Sequence, residues 1–190
     1  MFSYIKKENL IAGSLVAFLT FFIALLVSLG SEALMKAVDS VLLAIILLLC
    51  IILLGIFFDI IGTAAAASQL PPFNAKAAKK LSGAKQAVKI SRNADIVANF
   101  CNDVIGDVAG TLSGAIGASV VLSLRSILPF MDLVLASAVM TSLIAALTVG
   151  GKAIGKSFAI NNANKIILKV GITLSWLEKI TGKELFENRR

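Results

Sequence analysis

Three runs of this chain, residues 10–29, 41–58 and 131–149, contain no charged side chain except Asp132, and each is close to 20 residues long. A helix needs roughly 20 apolar residues to cross the hydrocarbon core of a bilayer, and lipid admits no unsatisfied backbone, so such runs dictate membrane-spanning helices. A fourth segment, residues 94–124, has the length but carries polar residues in its first half. The mean hydropathy of +0.93 is above what a domain with a solvated surface sustains. The expected fold is therefore all-α: an integral membrane protein of about four transmembrane helices with amphipathic juxtamembrane helices.

The positions of the basic residues set the topology. Lys6 and Lys7 precede the first run, Lys76, Lys79, Lys80, Lys85, Lys89 and Arg92 lie between the second and third, and Lys152, Lys156, Lys165, Lys169, Lys179, Lys183, Arg189 and Arg190 follow the start of the last connection. Only Lys36 and Arg125 fall in the other two loops. With four spans, the larger set shares one side, which the positive-inside rule makes cytoplasmic. Both termini are then cytoplasmic, in a bacterial inner or plasma membrane. The formal charge of +7 is accounted for by topology and by attraction to anionic lipid headgroups, so no nucleic-acid partner is expected. The first run exceeds the 7–15 residues of a cleaved signal core, which favours an uncleaved span.

Three consecutive stretches follow: residues 1–40 with the first span, residues 41–158 as the main membrane domain, and residues 159–190 as an amphipathic helix with a basic tail. Pro71 and Pro72 stop a helix continuing from the second span. After them, residues 74–92 place Ala77, Leu81, Ala84, Ala87 and Val88 opposite lysines, as in a basic interfacial helix. Trp176 on the last helix suits headgroup depth. Cys50 and Cys101 read as small core residues, and the tail Glu187–Asn188–Arg189–Arg190 as frayed.

There is no histidine, no Gly-rich phosphate loop and no nucleophile constellation, so no enzymatic activity is expected. The chemistry lies in NFCNDVIGDVAG, where Asp95, Asn99, Asp103 and Asp107 recur every four residues and Asn102 sits beside them. A carboxylate in hydrocarbon costs at least about 2.5 kcal/mol, so the stripe is expected to face protein, water or a cation. Gly106, Gly110 and Gly114, continued by Ala118 and flanked by Gly117, form an adjacent face that admits another backbone. Carboxylates, amides and the hydroxyls of Thr63, Ser68, Thr111 and Ser113 are hard oxygen ligands suited to magnesium, calcium or sodium. Asp59, at the end of the second run, adds a further carboxylate.

Several segments, in order, resemble the membrane domain of the CorC and cyclin-M (CNNM) magnesium transporters. FFDIIGTAAAAS is similar to the family's FFSxSExA, SGAKQAVKI to RGAKxALKL, NFCNDVIGD to IGNNLVN, and LTVGGKAIGKSFA to LxxGEVIPKxxA; the resemblance covers residues 41–185. It implies a homodimer with an inward-facing cavity that binds a dehydrated Mg2+. The paired asparagines of the motif fall on Asn102 and Asp103, its last asparagine on Gly106 or Asp107, and its serine segment on residues 59–63. The metal set implied is Asp59, Thr63, Asn99, Asn102, Asp103 and Asp107, with Gly106, Gly110 and Gly114 as a sliding or hinge surface. The paired CBS modules of the family do not follow in this sequence. Gly62 replaces the motif glutamate, Lys152 replaces the glutamate of GEVIPK and Gly155 its proline. Either the added aspartates compensate and a divalent cation still binds, or the Lys152 ammonium takes the cation's place, leaving a non-transporting structural or regulatory protein; a third outcome is that Lys152 snorkels to the interface.

Overall fold

A computed structural model describes residues 7–37 and 40–182; Lys6, the basic residues from Lys183 on and the tail residues 187–190 lie outside the described residues. Every element is helical: α1 (Lys7–Ala37), α2 (Val41–Ala67), α3 (Leu70–Ala78), α4 (Ala84–Arg92), α5 (Ala94–Asn99), a π-helix (Phe100–Gly106), α6 (Asp107–Ile127), α7 (Leu133–Asn161) and α8 (Ala163–Thr181). Four stretches are long and apolar enough to span a bilayer, namely α1, α2, the continuous run Ala94–Ile127, and α7. The protein is an all-α integral membrane protein.

Two spans extend past the ends expected from sequence. α2 continues from Phe58 through Asp59 to Ala67, and α7 continues from Val149 through Lys152 and Lys156 to Asn161. The charges that mark a span's end in a hydropathy reading are here turned toward each other, so the helices carry them without interruption. Asp132, the lone charge in the last apolar run, caps α7: its Oδ1 accepts from the backbone N–H of Val134 at 2.8 Å and of Leu135 at 3.0 Å.

The single basic helix expected over residues 74–92 is two. Pro71 and Pro72 sit in the first turn of α3, where their fixed φ is preorganised and their missing N–H costs nothing. α3 closes with Lys80 in the left-handed region at φ 54°, while Lys80 N donates to Ala77 O at 2.9 Å and Leu81 N to Lys76 O at 3.1 Å. That pair of bonds is a Schellman closure with lysine where glycine is usual. α8 ends likewise on Gly182, φ 66°.

The chain divides into two compact units, each considered by itself: Met1–Leu54 with Asp107–Leu147, and Gly55–Gly106 with Thr148–Arg190. In the first, α1 packs on α6, and Gly117 of α6 lies so close to α7 that a Cβ there would overlap Ile144 and stand 3.2 Å from Met140 Cγ. In the second, α3, α4 and α8 pack on one another around Ala64, Ala65, Phe73, Ala87, Ile90, Ala159, Ala163 and Ile167. α4 and α8 cross backbone to backbone. A Cβ on Gly171 would overlap Gly83 O and reach Ala87 N at 3.0 Å, and Gly83 itself adopts φ 74°.

Candidate functional site

The second unit holds a polar layer assembled from three helical segments. α2 supplies Asp59 and, three residues on and so on the same face, Gly62. The π-helix supplies Asn102 and Gly106, and α7 supplies Lys152 and Lys156, four apart on one face. The Asp59 side chain is 3% exposed, and its Oδ1 lies 4.0 Å from Lys152 Nζ and 4.0 Å from Lys156 Nζ. The two lysines are not equivalent. Lys152 is one quarter exposed, whereas Lys156 is half exposed and shares its charge with solvent.

Glycines make the layer possible. A Cβ on Gly62 would overlap the Asn102 amide oxygen and lie 2.8 Å from its Cγ, so the space beside α2 belongs to the asparagine. A Cβ on Gly106 would stand 3.3 Å from Lys152 Nζ, so that ammonium rests against bare backbone of the π-helix. Two acceptors in the layer are buried and lack a hydrogen-bond partner, Asp59 Oδ2 and Asn102 Oδ1. An unpaired buried acceptor costs about 1–3 kcal/mol, more when charged, so the layer is set up to receive a donor or cation.

The π-helix carries several of the sequence-predicted residues. Its bonds run i to i+5, so residues four apart no longer stay aligned, and such turns recur at functional sites. Asn102 faces Gly62, while Asn99, Asp103 and Asp107 are exposed on the chain. On the single chain the stripe's side chains lie at the surface, and the neighbouring Asn102 amide lies against α2. Asp103 has no hydrogen-bond or ion-pair partner among the described residues. Thr63 is half buried beside the layer. Among the described residues no group of three or more Asp, Glu, Cys or His side chains converges on one point.

The other hydroxyls expected as ligands are engaged elsewhere. Ser113 donates to Ala109 O at 2.7 Å and Thr111 to Asp107 O at 3.0 Å, both within α6. Ser68 bonds Ala65 O at 2.9 Å and Ser91 Oγ at 3.1 Å, tying α2 to α4. Gly110 and Gly114, in the first unit, have nothing within 4 Å of an added Cβ. Cys101 is buried and Cys50 exposed. Lys156 was not singled out by sequence reasoning, although its four-residue spacing from Lys152 signals a shared face.

No family model, no curated protein and no solved structure matches the chain.

Proposed function

We propose that the chain is a structural or regulatory membrane protein in which Lys152, assisted by Lys156, is the built-in counter-charge of a buried carboxylate. The observation that supports this is the position of both ammonium groups 4.0 Å from Asp59 Oδ1. Two lysines face the one carboxylate. A divalent ion approaching Asp59 would meet two like charges in a setting where water screens them weakly.

A second reading is a magnesium-binding transporter or sensor with an inward-facing cavity, as the CorC and CNNM resemblance implies. The observation in its favour is the pair of unpartnered buried oxygens, Asp59 Oδ2 and Asn102 Oδ1, both hard ligands. In either case the basic helices α3, α4 and α8 lie on the cytoplasmic side against anionic headgroups. A second copy would pack on the open face of Gly110 and Gly114.

Calorimetry and magnesium-dependent thermal stability of the detergent-purified chain separate the two. Lysine neutralisation predicts no saturable stabilisation of the wild type and a gain in Lys152→Glu. Saturable stabilisation of the wild type that Asp59→Asn abolishes would instead establish the cation site.

A further inference from the structure

Helix α8 leaves one face uncovered, and the chemistry of that face changes along its length. Ala163, Ile167 and Gly171 are the buried residues of α8 and mark the side packed on α3 and α4. On the other side the first two turns present the exposed Lys165 and Lys169. The turns that follow present Ile172, Trp176 and Ile180, exposed by 44%, 61% and 63%. These five positions lie three or four residues apart and so form one row. Glu178, the single carboxylate of the helix, lies outside the row, and its Oε2 accepts a hydrogen bond from Gln86 Nε2 of α4 at 2.7 Å. The row is cationic at its start and apolar from Ile172 on.

Where α8 starts decides what covers this row. The spanning helix α7 ends at Asn161 and α8 begins at Ala163. Ile154, Phe158 and Ile160 keep α7 apolar and exposed almost to its end, as suits a segment still among acyl chains. An α8 that left the bilayer at right angles would carry Trp176 about 20 Å beyond that boundary and leave the apolar row in water. An α8 that lies along the boundary sets Lys165 and Lys169 at phosphate level, within reach of their long stems. It also sets Ile172, Trp176 and Ile180 against the uppermost acyl carbons, the depth at which tryptophan concentrates. A second copy seated on the row would bring it no carboxylate, only the same lysines.

We propose that α8 is inserted obliquely in the surface layer of the bilayer, with phospholipid acyl chains as the occupant of the Ile172, Trp176 and Ile180 row and with neutral lipid sufficient to hold it. This deepens the reading of α8 as a helix against headgroups, a reading that charge alone would satisfy from outside the bilayer. It involves neither Asp59 nor Lys152.

Trp176 is the single tryptophan of the chain and reports on its own surroundings. The full chain is reconstituted in vesicles of phosphatidylcholine alone, which carry no net charge, with bromine placed either near the glycerol or near the end of the acyl chains. Bromine near the glycerol is expected to lower Trp176 emission about twofold or more, bromine at the chain ends to do less, and iodide in the water to have little effect. Lys165→Gln with Lys169→Gln is expected to leave that pattern unchanged, which separates insertion from attraction to anionic lipid. Leu177→Ser with Ile180→Ser, at two exposed positions, is expected to weaken the bromine effect and admit iodide while circular dichroism shows the helix content retained. Full access to iodide without bromine quenching overturns the proposal. Shielding from both quenchers overturns it too, since protein then covers the row, as does stronger quenching from the chain ends, which means a deeper helix. Bromine quenching that is lost in the lysine variant, or undiminished in the serine variant, takes the row out of the account. Quenching that appears only once phosphatidylglycerol is added leaves the headgroup reading standing and removes the insertion.

Discussion

Two pairs of glycines in this chain face opposite circumstances. Gly83 and Gly171, in the unit built from α3, α4 and α8, are met by backbone atoms so close that neither position has room for a methyl group. Gly110 and Gly114, on α6, have nothing within 4 Å. In sequence Gly110 and Gly114 read as a surface for close helix approach, and Gly83 and Gly171 carry no such pattern. Only Gly83 and Gly171 meet another backbone within the chain. The α3–α4–α8 unit closes over an apolar core of its own. The span that carries Gly110 and Gly114, Ala94–Ile127, is itself 56% buried within the chain, so these two glycines lie on the part of it that no neighbour covers. Small residues on such a face matter only when another backbone comes to meet them.

The largest effect that would sharpen this contrast is expected at the polar layer. Replacing Lys152 and Lys156 together by methionine strands the Asp59 carboxylate in a site where its side chain is 3% exposed. A loss of about 3 kcal/mol or more is expected, read as a lower midpoint of thermal unfolding in detergent. Gly171→Ala comes next, at about 2–3 kcal/mol by the same assay, because the obstructing atoms are backbone and cannot rotate away. Gly62→Ala displaces the Asn102 amide, a side chain that can turn, and about 1 kcal/mol is expected. The smallest change is expected for Gly114→Ala, within about 0.5 kcal/mol for the isolated chain. If a second copy covers that face, Gly114→Leu shifts the chain from dimer to monomer in light scattering while its unfolding midpoint at low concentration stays put. A Gly114→Ala loss as large as that of Gly171→Ala would break the contrast altogether.

Much of the architecture was legible in sequence because charge and hydropathy act locally. The four spans, the helix break just before Pro71 and Pro72 and the basic final helix all follow from residue order. Features that depend on a distant partner did not. Asp59 and Lys152 each look like the end of a span, yet α2 and α7 run on past them and bring the two side chains to 4.0 Å. The turn at residues 79–83 was hidden because its left-handed position carries Lys80 where glycine would have announced it. At the candidate site, a regular α-helical period grouped Asp95, Asn99, Asp103 and Asp107, whereas residues 100–106 wind as a π-helix and it is Asn102 that lies against Gly62. A winding change leaves no trace in composition. Gly62 and Gly106 were its nearest signals, each marking a spot where another side chain needs the room.

A double-mutant cycle tests whether Lys152 serves as the counter-charge of Asp59. Unfolding free energies of wild type, Asp59→Asn, Lys152→Met and the double variant are measured in one detergent without added divalent ions. A working ion pair predicts that the double variant loses less than the two single losses combined, with a coupling of about 1 kcal/mol or more. Losses that add to within about 0.5 kcal/mol would contradict the pairing and return Asp59 to the candidates for a cation ligand.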